Sequence, residues 1–142
     1  MLTIDATTML ISVTRGDYIS IVFSAVDSEG TDWDPSDVGT DSLTFAMAKK
    51  LGGEPVISKT NVYNGDTEAF WTIDIGEGDG SDWYKKDSDG NVVTDSKGEP
   101  VPIDFGTYVW DLQLTLSTGK ITIIGKSDSY SPKVRVLGEV AK

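Results

Sequence analysis

The chain has 142 residues, the length of one ordinary domain, and its 38% of hydrophobic residues is enough for a single core. The 23 acidic against 12 basic residues leave a formal charge of −11, which repels phosphate backbones and anionic lipid surfaces, so neither nucleic acid nor a membrane is expected as a partner. Cysteine and histidine are both absent, which removes disulfides, thiolate chemistry, any histidine-dependent triad and the commonest zinc ligand.

The amino-terminal stretch MLTIDATTMLISVTRGDY has no basic segment ahead of its short apolar one and does not read as a secretory signal. No run approaches the roughly 18 apolar residues of a membrane-spanning helix. Synthesis in the cytoplasm is therefore expected.

Met9 to Val13 and Tyr18 to Val26 read as a first hairpin around Thr14-Arg15-Gly16-Asp17. In its second strand Ile19, Ile21, Phe23 and Ala25 alternate with Tyr18, Ser20, Val22 and Ser24. Residues 27–41, DSEGTDWDPSDVGTD, form an acidic loop dense in turn formers. Leu43, Phe45 and Met47 share one face of a third strand, Gly52-Gly53 breaks it, and Val56 to Thr60 makes a fourth. Asn64-Gly65-Asp66 signals a turn into Phe70 to Ile75, where Trp71, Ile73 and Ile75 face inward.

From Gly76 to Pro102 the pattern lapses into an acidic insert. Trp83 to Lys86 and Val92 to Thr94 flank Asp89-Gly90, which predicts a small hairpin with a type I′ turn. Thr107 to Gly125, TYVWDLQLTLSTGKITIIG, is the most regular hairpin. Tyr108, Trp110, Leu112, Leu114 and Leu116 lie on one side, Val109, Asp111, Gln113 and Thr115 on the other. After Tyr130-Ser131-Pro132, a last strand places Val134, Val136 and Val140 opposite Lys133 and Arg135. No internal repeat and no linker divides the chain. The prediction is an all-β fold: a single 1–142 domain, a two-sheet antiparallel immunoglobulin-like sandwich of about seven strands with an extra hairpin inserted at 76–102.

Short motifs carry little. Arg15-Gly16-Asp17 spells the tripeptide of integrin ligands, but a turn explains it, with the glycine bending the chain and both charges solvated at the tip. Asp104-Phe105-Gly106 echoes a kinase metal-binding motif in a chain without a Gly-rich loop or a His-Arg-Asp catalytic loop. Asp79, Asp82, Asp87 and Asp89, with Glu77 nearby, offer oxygen ligands for calcium. The EF-hand register fails, because Gly90 at the glycine position puts Lys85 at the first ligand and Gly80 puts Ile75 there. These acids are read as solvated turn residues, with no metal and no cofactor expected.

Trp33, Trp83 and Tyr84 lie in polar segments outside the alternating strands. They are the candidate contact residues, either stacking on a sugar or anchoring a protein partner, with a purely structural role as the remaining choice. The predicted insert is a protruding hairpin anchored by Trp83 and Tyr84 on the parent sandwich or on a neighbouring subunit. Glycoside hydrolysis needs two carboxyls at a fixed separation in a cleft, and nearly every acid here sits in a hydrophilic turn. No catalytic residue is expected, and the chain is read as not an enzyme.

Taken in order, ISVTRGDYISIVFSAVDSEG, DSLTFAMAKKLGGEPVISKT, DFGTYVWDLQLTLSTGKITIIG and VRVLGEV resemble a family of small phage and prophage tail proteins. They are similar to the amino-terminal domain of upper-baseplate receptor-binding proteins of phages that infect Gram-positive bacteria. The resemblance runs from about Ile11 to Val140 and is strongest over Gly106 to Gly125. It implies a β-sandwich scaffold in the virion tail that docks other tail or baseplate proteins, itself included if it forms a homo-oligomer. The insert is longer and more acidic than the resemblance leads one to expect. With nothing after Lys142, no carboxy-terminal receptor-binding module is expected, which favours an adaptor. The alternative is a carbohydrate-binding module that uses the exposed aromatics.

Overall fold

A computed structural model describes residues 2–5, 10–24, 42–62, 70–116, 119–124 and 132–138. Nine strands are described: β1 Leu2–Asp5, β2 Leu10–Thr14, β3 Ile19–Ser24, β4 Ser42–Ala48, β5 Pro55–Val62, β6 Phe70–Ile75, β7 Gly106–Leu116, β8 Gly119–Ile124 and β9 Lys133–Leu137. Seven form one sheet in the order β1-β2-β9-β7-β4-β5, with β8 also on β7. The other two, β3 and β6, pair antiparallel as the second sheet. The fold is an all-β sandwich.

The long strand β7 organises the wide sheet. It pairs with β4 from Val109 to Thr115 along one edge. Its other edge is shared, with β9 on Gly106 to Val109 and β8 on Leu112 to Leu116. Eleven residues at roughly 3.4 Å each leave room for both. The alternation read from the sequence decides which face is inward. Tyr108, Trp110, Leu112 and Leu114 are buried, and so are Leu43, Phe45 and Met47 on β4 and Val134 and Val136 on β9. The Phe45 and Trp110 rings meet at 5.5 Å, tilted by 32°, within the favoured range for aromatic pairs. Ile19, Ile21, Ile73 and Ile75 of the small sheet close over them in one continuous cluster.

Two pairings differ from expectation. The sheet is mixed, because β2 and β9 run parallel with Ile11 opposite Val134 and Val13 opposite Val136. A parallel neighbour needs a long connection, and here almost the whole chain supplies it. Residues Leu10–Thr14 and Ile19–Ser24 do not form a hairpin either. β2 belongs to the wide sheet and β3 to the small one, so Arg15-Gly16-Asp17 is a corner between layers. Gly16 takes φ 96°, and Asp17 N–H donates to Thr14 O at 3.2 Å. The same turn chemistry serves a hairpin or a corner, and sequence does not separate them. Strand β1, which carries no turn signal before β2, is an addition to the expected count. Seven and two described strands also differ from the four-and-three division of an immunoglobulin constant-type sandwich.

A two-stranded sheet cannot cover a seven-stranded one, and the insert makes up part of the difference. Trp83, on the 3₁₀ turn Ser81–Trp83, and Ile103 are among the most buried side chains, at 2% and 1% exposure. Both join the core cluster at the end of the sandwich where the chain turns from β2 to β3. The insert is therefore anchored on the parent sandwich through Trp83, one of the two anchorages expected, while residues 85–91 and 94–100 remain exposed beyond it. Trp83→Ala is expected to cost about 3–5 kcal/mol, a large share of a typical domain's stability, read as a lower denaturant midpoint with slope unchanged.

On the outer face of β7, partial burial pushes the Asp111 carboxyl above the usual carboxylate range, with Lys120 opposing the shift. A raised folded-state value favours the protonated form. Its contribution to stability is thus full below the unfolded value and is lost as pH rises through the folded one. Asp111→Asn should raise the melting temperature at pH 7 and change it less at pH 3.

Candidate functional site

All three exposed large hydrophobic residues among those described, Tyr18, Leu51 and Phe105, sit at one end of the sandwich. There β2, β4, β6 and β9 end, and β3, β5 and β7 begin. The insert packs at the same end, and this face is the candidate interaction surface.

The insert hangs on one buried junction. Trp83 Nε1 donates to Asp17 O at 2.8 Å. Gly76, with φ 80°, passes so close that a Cβ there would lie 2.4 Å from Asp17 O and 2.6 Å from Trp83 Nε1. Its N–H donates to Asp82 Oδ2 at 2.9 Å, and Lys59 Nζ reaches the same carboxylate at 3.2 Å. Asn61 Nδ2 donates to Thr72 O, so the inward polar residues of β5 tie both the small sheet and the insert to the wide sheet.

Beyond Trp83 the insert folds as short extended segments, joined by isolated bridges, around a ring of backbone hydrogen bonds. Val93 N donates to Lys85 O, Val101 N to Val93 O and Lys85 N to Val101 O, at 2.7–2.9 Å. The ring residues are eight apart, and so are the turns that connect them. Ser88-Asp89-Gly90 and Ser96-Lys97-Gly98 are three-residue loops in which the glycine N–H returns to the carbonyl of the aspartate just before the loop, Asp87 or Asp95. Each aspartate Oδ1 also accepts two backbone N–H groups, from Asp89 and Asn91 and from Lys97 and Glu99. A left-handed glycine at the loop's third position gives this turn, where a two-residue type I′ turn was expected. The Asp-Ser-x-Gly pair is a short internal repeat that the sequence carries in plain view.

Three of the four aspartates considered for calcium have local work, Asp87 in the turn just described. Asp79 Oδ1 caps Ser81 N–H, a bond that holds its carboxyl below the usual range, and Asp82 binds Gly76 and Lys59. Among the described residues no group of three or more acids is placed to hold a metal ion.

Of the three contact candidates, Trp83 is in the core and presents no face to a ligand. Its neighbour Tyr84 is half-buried, with its backbone bridged to Pro102. Trp33 lies outside the described residues. Arg15 is also not a solvated tip. Its N–H donates to Leu137 O, its Nη1 to Ile103 O at 2.7 Å, and its guanidinium lies 3.8 Å over the Phe105 ring. That stack is the electrostatic attraction of a cation for a ring face. An adhesion tripeptide needs a free arginine, and this one is committed to holding β2, β9 and the insert exit together.

Sequence reasoning missed a cleft beside this clamp, about 290 Å³ in volume, between the β4–β5 turn and the insert. Its walls carry Lys49, Lys85 and Lys86 against Glu54 and Asp104. Val56, Ile103 and Tyr108 supply apolar lining. Asp104 receives Lys49 Nζ at 2.6 Å and Lys85 Nζ at 3.3 Å. Tyr108 Oη donates to Asp104 O at 2.6 Å. The lysines come from segments more than thirty positions apart, and only the Lys49-Lys50 and Lys85-Lys86 doublets could have hinted at them.

Comparison of the chain with protein-family models, with curated proteins and with solved structures returns no match.

Lys49 first, and then Lys85, hold the Asp104 carboxyl below the usual carboxylate range. A depressed folded-state value contributes stability above the unfolded value, and this is lost as pH falls through the folded one. Asp104→Asn should therefore flatten the dependence of melting temperature on pH at the acid end. Added salt should weaken the wild-type contribution, because the pair is exposed.

Proposed function

We propose that the chain is a non-enzymatic structural or adaptor component of a phage or prophage tail, docking other tail or baseplate proteins through the end of the sandwich that carries the insert. The observation that carries this reading is the concentration of Tyr18, Leu51 and Phe105 on one end, over an insert fixed in place by Trp83. Exposed apolar groups on a rigid, water-excluding base are what a protein interface uses as anchors. The order of strand motifs, strongest over Gly106 to Gly125, points to the tail as the setting.

The carbohydrate-binding alternative has lost one ring of its stacking platform, since Trp83 is buried. No described observation favours it.

The test is the protein content of purified particles. After induction and density-gradient purification, mass spectrometry should find this chain in intact tails at a fixed ratio to the other tail proteins. Deleting its gene should leave tails without the partner it docks. A chain abundant in the lysate and absent from purified particles would overturn the reading.

A further inference from the structure

The cleft between the β4–β5 turn and the insert breaks the charge pattern of the molecule. On a chain with a formal charge of −11, it gathers three lysines against two carboxylates, and Lys50 adds a fourth lysine on the adjoining turn. Local excess of one sign, set against an opposite overall charge, focuses the field on the cleft.

The lysines are pre-placed. Asp104 binds Lys49 and Lys85 at once and holds the two ammonium groups on either side of a single carboxylate. Each ammonium has three N–H donors, of which this contact uses one. Lys86 Nζ is drawn in by the carbonyls of Ser81 and Tyr84, the second at 2.9 Å. Its position is thus fixed by the insert backbone. Lysine side chains normally lose much rotamer freedom on binding, and anchoring them beforehand lowers that loss.

Between the lysines, the lining is apolar. Val56 is partly exposed, and Ile103 and Tyr108 form a floor continuous with the core. A space of about 290 Å³ is at the lower limit for small-molecule sites and suits one large side chain with charged neighbours. Leu51, two-thirds exposed on the β4–β5 turn, adds apolar surface near the rim.

We infer that this cleft binds an acidic segment of a partner protein in extended form, with one apolar or aromatic side chain seated between Val56 and Ile103 and flanking carboxylates on Lys49, Lys85 and Lys86. Charge complementarity selects the occupant: the chain as a whole carries 23 acidic against 12 basic residues, whereas the cleft is lined by three lysines against two carboxylates, so an acidic segment is disfavoured by the net charge and favoured here. The inference rests on the docking role proposed above and adds the chemistry of what is docked.

The test uses the full chain and two terminally blocked peptides, Glu-Phe-Glu and its neutral counterpart Gln-Phe-Gln, followed by backbone amide shifts in NMR titrations. The acidic peptide is expected to bind saturably with a Kd near 1 mM, on the order of a small single-pocket contact, and to move the amides of Val56, Lys85 and Asp104. The neutral peptide should bind about ten-fold more weakly, and added salt should narrow that gap. Lys49→Glu with Lys85→Glu should abolish the preference. Since that pair could disturb the fold, Lys49→Met with Lys85→Met is measured beside it and should show the same loss in a chain that stays folded, its melting temperature lowered only by the small contribution of the exposed Asp104 pairs. Equal binding of both peptides, shifts confined to other surfaces, or full retention of the preference in the folded methionine variant would overturn the proposal. Acidic-peptide binding by a chain that is absent from purified tails would leave the cleft assigned and remove only the tail setting.

Discussion

The hydrogen bond from Trp83 Nε1 to Asp17 O is the interaction on which the other features of this end depend. An indole N–H buried without a partner would cost more than the bond itself contributes, so the ring can enter the core only where a carbonyl waits for it. That carbonyl exists because Asp17 sits at the corner where the chain leaves the wide sheet for the small one. The close approach exists because Gly76, at the end of β6, has no Cβ and takes a left-handed φ. Two segments far apart in sequence, the β2–β3 corner and the stretch from Gly76 to Trp83, are thereby fixed to one another.

From this junction the consequences run outward. With Trp83 and Ile103 seated, the extended segments of the insert have a base on which to close their ring of hydrogen bonds. With the ring closed, Lys85 and Lys86 are carried to the wall of the cleft opposite the β4–β5 turn. Arg15 completes the arrangement from the other side, bonding to Ile103 O and stacking on Phe105. The tripeptide that suggests adhesion and the one that suggests a kinase are thus two halves of one clamp. Asp104 links the clamp to Lys49 of the β4–β5 turn and Lys85 of the insert.

The parts legible in the sequence are those governed by nearest-neighbour geometry. Alternation with period two located the inward faces of β4, β7 and β9, because a side chain's direction in a strand depends only on its parity. Pairing was less legible. Nothing local distinguishes a corner from a hairpin at Arg15-Gly16-Asp17, and the parallel contact of β2 with β9 joins nearly opposite ends of the chain. The sequence leaves Trp83 open between a contact ring and a structural one, because its neighbours are Asp82, Tyr84 and two lysines. A residue buried by a distant segment leaves no periodic trace among the residues beside it. The cleft was invisible for the same reason, since its two walls meet only after the insert has docked.

The acidic composition acquires a specific meaning once the cleft is placed. Many of the insert's aspartates are used to form turns: Asp79, Asp87 and Asp95 each accept backbone N–H groups, work that Asn or Ser could do with less charge. Aspartate at these positions adds negative field to the insert, with Asp79 near enough to Lys86 of the cleft for the two charges to attract. The field disfavours acidic partners along the insert, and the lysines favour them at the cleft, so discrimination by position comes from both signs together. A chain without a balanced charge map of this kind would bind an acidic segment anywhere on a basic face. Here the insert brings Lys85 and Lys86 opposite Lys49, and the buried indole bond keeps that cleft in shape.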